Sequence, residues 1–269
     1  MKKLIIMFFM LFVGLQAAES VKSEIGIDEQ LGTMIPLDLT FLNEAHESKS
    51  LKELMNGKPT MISFNYYRCS GICTPQLEDM AKMLTRLDLV ENSDYKVLTI
   101  SIAEDETPDL AAAKRKTMLG AIGRNFVPDA WHFLISENNS STILADKMGF
   151  RYKKEVSPAG MVDYVHSSSL IMVSPEGKIT RYLNGIEQLP FDVKMAIVEA
   201  GQGKVGPSIA KAIQNCFAYD PKAKTYVFAW EKVAATVMFA IMLIFFIYLV
   251  KTSRREDDKD SSSNKGDIR

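Results

Sequence analysis

Cys69-Ser70-Gly71-Ile72-Cys73 is the stretch of this sequence whose residue types and spacing can do chemistry. Thiolates bind soft metals and attack disulfides. Cysteines four apart fall on one helical face, so both sulfurs are expected to point at one atom. A helix N-terminus favours the thiolate, because its unpaired amides and dipole stabilise negative charge. Two thiolates select copper(I) or zinc over hard ions and leave the metal short of a third ligand. The chain holds three histidines that could supply it: His46, His132 and His166. His132 lies in the apolar run Trp131-His132-Phe133 and reads as a strand residue. His46 lies in a polar lead-in and reads as solvated. His166 stands before Ser167-Ser168-Ser169, and a loop position there can face the first helix. Cys216 reads as an accessory thiol outside the ligand set.

These residues need elements to position them. Met61 to Tyr66 is a short apolar run consistent with a buried strand that ends just before Cys69. Beyond Cys73, apolar residues recur at Leu77, Met80, Ala81, Leu84 and Leu87, a helical spacing. Met80 and Met83 fall on that apolar face and read as core, not as copper ligands. Val97 to Ile102 is β-branched and reads as a second strand. Thr107-Pro108 has the form of a helix start, with Thr107 as cap and Pro108 in the first helical position. Trp131 to Ile135 reads as a third strand, and Ser140 to Met148 as a short helix ended by Gly149. Ser169 to Val173 and Ile179 to Leu183 flank the turn Pro175-Glu176-Gly177 as a hairpin. A last helix runs from Pro190 to about Ala200. Residues 19–58 read as a lead-in with short strands. Strands alternating with helices, then a hairpin and a helix, make an α/β sheet of the thioredoxin type.

Composition sets the outer limits. The chain has 269 residues, 47% hydrophobic and 24% charged, too apolar for a disordered protein. A formal net charge of −1 excludes a nucleic-acid binder that works by a large basic field. Three cysteines exclude a disulfide-stapled mini-protein. Residues 1–18 carry Lys2 and Lys3, an uncharged stretch from Leu4 to Leu15, then Ala17 and Ala18, the form of a bacterial export signal. Val233 to Val250 is uncharged and reads as one C-terminal transmembrane helix, with Trp230 and Tyr248 near its edges. Lys251, Arg254 and Arg255 follow as a cytoplasmic flank, and residues 251–269 read as a disordered tail. The expected order is signal peptide 1–18, thioredoxin-like domain with the soft-metal site 19–205, juxtamembrane linker 206–232, transmembrane helix 233–250 and tail. The main domain would face an oxidising periplasm from the inner membrane.

The chain resembles the SCO/SenC family of membrane-anchored copper chaperones for cytochrome oxidase assembly, from about Pro36 to Phe191. Tyr66-Tyr67-Arg68-Cys69-Ser70-Gly71-Ile72-Cys73 looks like the family's strand end and CxxxC pair. Ser101-Ile102 with Glu106-Thr107-Pro108 is similar to its second strand and helix start. Gly149-Phe150-Arg151-Tyr152, Asp163-Tyr164-Val165-His166-Ser167 and Pro175-Glu176-Gly177-Lys178 look like the segments around its histidine. The resemblance implies a thioredoxin-like fold that binds one copper ion through Cys69, Cys73 and His166. It implies the copper-bearing subunit of cytochrome c oxidase as the receiving partner, with a copper donor or a thiol reductant on the supply side. Many relatives carry Asp just before the histidine, where this chain has Val165. Asp163 is the residue that could orient the imidazole in its place.

A metallochaperone is therefore expected, and not a conventional enzyme. The competing reading is a periplasmic thiol–disulfide reductase in which Cys69 and Cys73 cycle between dithiol and disulfide. His166-Ser167-Ser168 stands where general thioredoxins carry a cis-proline. A peroxidase would want Pro-x-x-x-Thr-x-x-Cys, and the proline position is Tyr66.

Overall fold

The computed structural model describes residues 25–69, 71–158, 160, 162–206, 217–220, 225–228, 238–239, 241–246 and 248. The expected signal segment 1–18, the tail 251–269 and Cys216 lie outside the described residues.

Three parallel strands form the middle of a seven-stranded sheet: β4 (Thr60–Asn65), β5 (Lys96–Ser101) and β6 (Trp131–Ser136). Every residue of β4 and β5 is buried, which requires the continuous apolar runs seen in the sequence. Helix α2 (Cys73–Arg86) connects β4 to β5, and α3 (Pro108–Ala121) connects β5 to β6. Thr107 caps α3 by accepting from the Leu110 N–H, and Pro108 opens it, as expected. On the far side, β9 (Ser169–Val173) runs antiparallel to β4, and β10 (Ile179–Asn184) pairs with β9. Helix α5 (Pro190–Gly201) follows.

The lead-in is more ordered than its weak periodicity suggests. It supplies β1 (Gly26–Ile27), β2 (Thr40–Leu42), β3 (Ser48–Ser50) and the capped helix α1 (Leu51–Met55). Strands β2 and β3 extend the main sheet beyond β6, giving the order β10-β9-β4-β5-β6-β2-β3. After α4 (Ser140–Lys147), a ribbon of β7 (Phe150–Val156) and β8 (Val162–His166) forms a second, three-stranded sheet with β1. Gly149 permits that junction: its φ is +63°, and a Cβ there would lie 1.9 Å from the Asp28 carbonyl oxygen.

The core has two halves, one on each sheet face. Leu77, Met80 and Leu84 of α2 pack with Met61, Val97, Trp131, Val193 and Ile197 on one face. Phe41, Ile62, Phe64, Leu98, Leu134, Leu144 and Phe150 fill the other, and Cys69 and Cys73 belong to that half. Met80 and Met83 are buried as core residues.

Strands β11 (Phe217–Asp220) and β12 (Thr225–Phe228) pair as a hairpin within a second unit, residues 207–269. Of the apolar stretch 233–250, residues 238–239, 241–246 and 248 are described and are helical. Among the described residues no helix is long and apolar enough to cross a membrane.

Truncating Met80 to alanine is expected to cost about 2–5 kcal/mol, as for other fully buried large-to-small changes. Urea unfolding of the purified variant checks this, and a midpoint equal to that of the parent protein would contradict the packing described.

Candidate metal centre

Strand β4 ends at Asn65, and the chain turns through Tyr66–Ile72 before α2 begins at Cys73. Cys69 therefore lies in the turn, not one helical turn back on the same helix. The expected pairing on one helical face is corrected: the turn, not the helix period, brings the two sulfurs together. The turn is fastened by the Glu106 carboxylate, which is fully shielded from solvent. It accepts the Tyr67 N–H at 2.9 Å, the Arg68 N–H at 2.8 Å and the Ser101 hydroxyl at 2.6 Å. Helix α2 starts with Cys73 in its first position and no side-chain cap.

Both cysteines are free thiols and buried, Cys73 the more deeply. Cys73 Sγ lies 3.1 Å from His166 Nε2 across 93 residues of sequence. His166 was expected in a loop, yet it is the last residue of β8 and is buried. The exposed β7–β8 ribbon has little apolar alternation (Arg151, Lys153, Lys154 and Glu155 dominate it), so nothing in the sequence marked it as paired strands. The imidazole Nδ1 lies 2.8 Å from the Ser167 carbonyl oxygen. That oxygen can only accept, so the hydrogen sits on Nδ1 and Nε2 presents a lone pair toward the sulfurs. Burial pushes the His166 pKa down and keeps the ring neutral. The Ser167 carbonyl orients the ring, and Asp163 does not. The Asp163 carboxylate instead accepts hydrogen bonds from the Tyr66 hydroxyl and the Tyr164 N–H.

The two thiols are made unequal. The hydrogen bond from Cys73 is the largest influence on Cys69 and pulls its thiol down to about 5, with help from the Tyr66 hydroxyl and the Gly71 N–H, against burial. The Cys69 sulfur accepts the Gly71 N–H at 3.2 Å. The Cys73 thiol moves the opposite way, because it is the donor in that bond and is more deeply buried. Soft sulfur donors and a neutral imidazole nitrogen are the set that copper(I) or zinc takes. Among the described residues no three His, Cys, Asp or Glu side chains already stand as a metal cage. Cys73 and His166 are in contact, and Cys69 accepts from Cys73 and from the Gly71 amide.

The other two histidines stand apart from the cysteines. His132 is held between Glu44, at 3.0 Å from Nδ1, and Asp129, at 3.3 Å from Nε2. Glu44 also pairs with Arg115 at 3.0 Å, so His132 is a strand residue held by the carboxylates beside it. His46 is exposed and lies 3.0 Å from Asp109.

Sequence reasoning missed three supporting residues. Glu106 looked only like part of a helix start, and its distance from the cysteines in sequence hid its role. Gln76 is a polar residue on the apolar side of α2. It accepts from Asn65 Nδ2 at 3.0 Å and donates to the Ser169 carbonyl at 3.3 Å, tying α2 to β4 and β9. Tyr66 stands edge-on to the His166 ring with centroids 6.3 Å apart. A buried glutamine amid apolar helix positions was the one signal available for any of them.

Comparison with known proteins bears on the family and the fold. The sequence profile of the SCO1/SenC family matches residues 37–197, more than half of the chain. The SCO1 protein homolog of Bacillus subtilis (strain 168) is 27% identical over 156 residues, 57% of this chain and 75% of that protein. A crystal structure of a protein from Aquifex aeolicus VF5 covers 65% of this chain and 96% of its own, at 23% identity and a TM-score of 0.56. The structure of Bradyrhizobium japonicum ScoI with copper bound covers 64% of this chain and 98% of its own, at 19% identity and a TM-score of 0.47.

Two measurements check the site. Alkylation of the reduced, metal-free protein by iodoacetamide is expected to label Cys69 with a midpoint near pH 5, following its lowered thiol. Cys73 should resist through about pH 8.5, where free thiols ordinarily ionise. Equal labelling of the two across that range would contradict the asymmetry. Glu106→Gln puts an amide hydrogen against backbone donors and is expected to lower stability by about 1–3 kcal/mol in thermal unfolding.

Proposed function

The chain belongs to the SCO1/SenC family, and on that premise we propose that it carries one copper ion to the copper-bearing subunit of cytochrome c oxidase. Cys69, Cys73 and His166 hold the ion. The single observation that supports this is the 3.1 Å approach of Cys73 Sγ to His166 Nε2, with the imidazole hydrogen parked on the other nitrogen. A soft site of two sulfurs and one nitrogen favours copper(I) and leaves it three-coordinate and open on one side. A receiving site with more ligands can then draw the ion away by stepwise exchange.

The proposal includes an anchored topology. Residues 1–18 direct export, 233–250 span about 27 Å of bilayer at roughly 1.5 Å per residue, and residues 251–269 lie in the cytoplasm. The copper-binding domain then stands in the periplasm of a bacterial inner membrane.

The inequality of the two thiols favours a second reading, a thiol–disulfide reductase. The Cys69 thiolate would attack a partner disulfide and release one partner thiolate. Cys73, giving up its proton, would then displace the second, leaving a Cys69–Cys73 disulfide and a partner dithiol.

Copper(I) titration of the reduced protein against a competing chelator separates the two. One tight equivalent is expected, weakened at least about 100-fold, roughly 2.7 kcal/mol, in Cys69→Ser, Cys73→Ser and His166→Ala, with the fold retained by circular dichroism. Full copper occupancy in His166→Ala would sink the three-ligand site and leave the reductase reading.

A further inference from the structure

Two contacts join α2 to the chain that ends β8 and begins β9, and both span 93 residues of sequence. One is Cys73 Sγ against His166 Nε2 at 3.1 Å. The other lies three residues further along each partner: Gln76 Nε2 donates to the Ser169 carbonyl at 3.3 Å. Residues three apart share one face of a helix, so Gln76 stands on the same side of α2 as Cys73. Its amide has one possible orientation. The Ser169 carbonyl can only accept, so Nε2 faces it, and Oε1 is left to accept from Asn65 Nδ2 at 3.0 Å. Both far ends are fixed. Ser169 is buried and pairs with Asn184 of β10, and Asn65 is the last residue of β4 and fully buried. Cys73 has no comparable restraint, since α2 begins there without a side-chain cap. Gln76 is 1% exposed, on a helix whose other buried residues are apolar apart from Cys73. Buried hydrogen bonds there gain little stability over an apolar side chain of the same size. What they add is a fixed position of α2 against β4 and β9.

We propose that Gln76 is a positioning residue for the metal site: its hydrogen bond to Ser169 locks the first turn of α2 to the start of β9 and so sets the span from Cys73 to His166. The bond to Asn65 holds the same amide to the end of β4, so it cannot turn away from Ser169 without losing a partner. As a statement about copper the inference rests on the function proposed above. As a statement about the metal-free contact of Cys73 with His166 it does not.

The test uses the full-length protein, reduced, with Gln76→Met, Gln76→Leu and Met118→Ala. The two Gln76 variants keep the volume and remove both hydrogen bonds. Met118 is a buried residue of α3, and its truncation lowers stability without removing either bond. Copper(I) affinity is expected to fall about tenfold, roughly 1.4 kcal/mol, in both Gln76 variants. Met118→Ala should keep the parent affinity although its thermal midpoint falls. In the metal-free protein, a nuclear Overhauser cross-peak between the His166 ring and the Cys73 β-protons is expected in the parent and in Met118→Ala. It should be lost in both Gln76 variants. A folded Gln76 variant with the parent's affinity and cross-peak would overturn the inference, whatever its thermal midpoint. So would a tenfold weaker Met118→Ala, since affinity would then merely track stability. Gln76→Met, the closer in shape, decides the matter if Gln76→Leu does not fold. If the parent protein shows no copper binding that needs His166, the copper reading falls, and the cross-peaks still decide the role of Gln76.

Discussion

A carboxylate buried without donors is costly, and Glu106 is buried and fully engaged. Its partners are two successive backbone amides, Tyr67 and Arg68, and the hydroxyl of Ser101 at the end of β5. This arrangement ties the turn before α2 to the end of β5. The chain stays in that turn until Cys73. The turn sets Cys69 beside Cys73 without placing both on the helix. The second strand thereby governs the site that follows the first.

The sheet does the remaining work. Parallel β4 and β5 end on the same side, and β9 runs antiparallel beside β4. His166 precedes β9 by three positions, which brings it over the start of α2. Gln76 ties α2 to β4 and β9 through its two amide atoms. The site is thus fastened to three strands and one helix, all with continuous apolar cores behind them. Cys69, in the turn, is the one candidate ligand that lies outside a regular element.

The electrostatics follow from depth and partners, not from the helix N-terminus alone. Cys69 accepts from the Gly71 amide and the Cys73 thiol, while Cys73 is deeper and gives its hydrogen to Cys69. His166 is kept neutral by burial, with its hydrogen directed by one backbone carbonyl. A pair of identical residues four apart therefore behaves as two different groups.

The sequence by itself determined the layered α/β architecture, because β4, β5, β9 and α2 carry apolar runs whose period allows one conformation each. It also determined the candidate donors, since few residue types can offer two soft ligands and an imidazole. It could not place the β7–β8 ribbon, whose charged, solvent-facing residues lack an alternating pattern, nor the lead-in strands, which are too short to show a period. The family resemblance named His166, and the tertiary structure supplied its contact with Cys73, because contact across 93 residues depends on strand order. Only the tertiary structure decided that Asp163 serves Tyr66 and that Glu106 shapes the turn. Hydrogen bonds between distant segments leave no periodic trace in a chain, and they exist only once the sheet has closed.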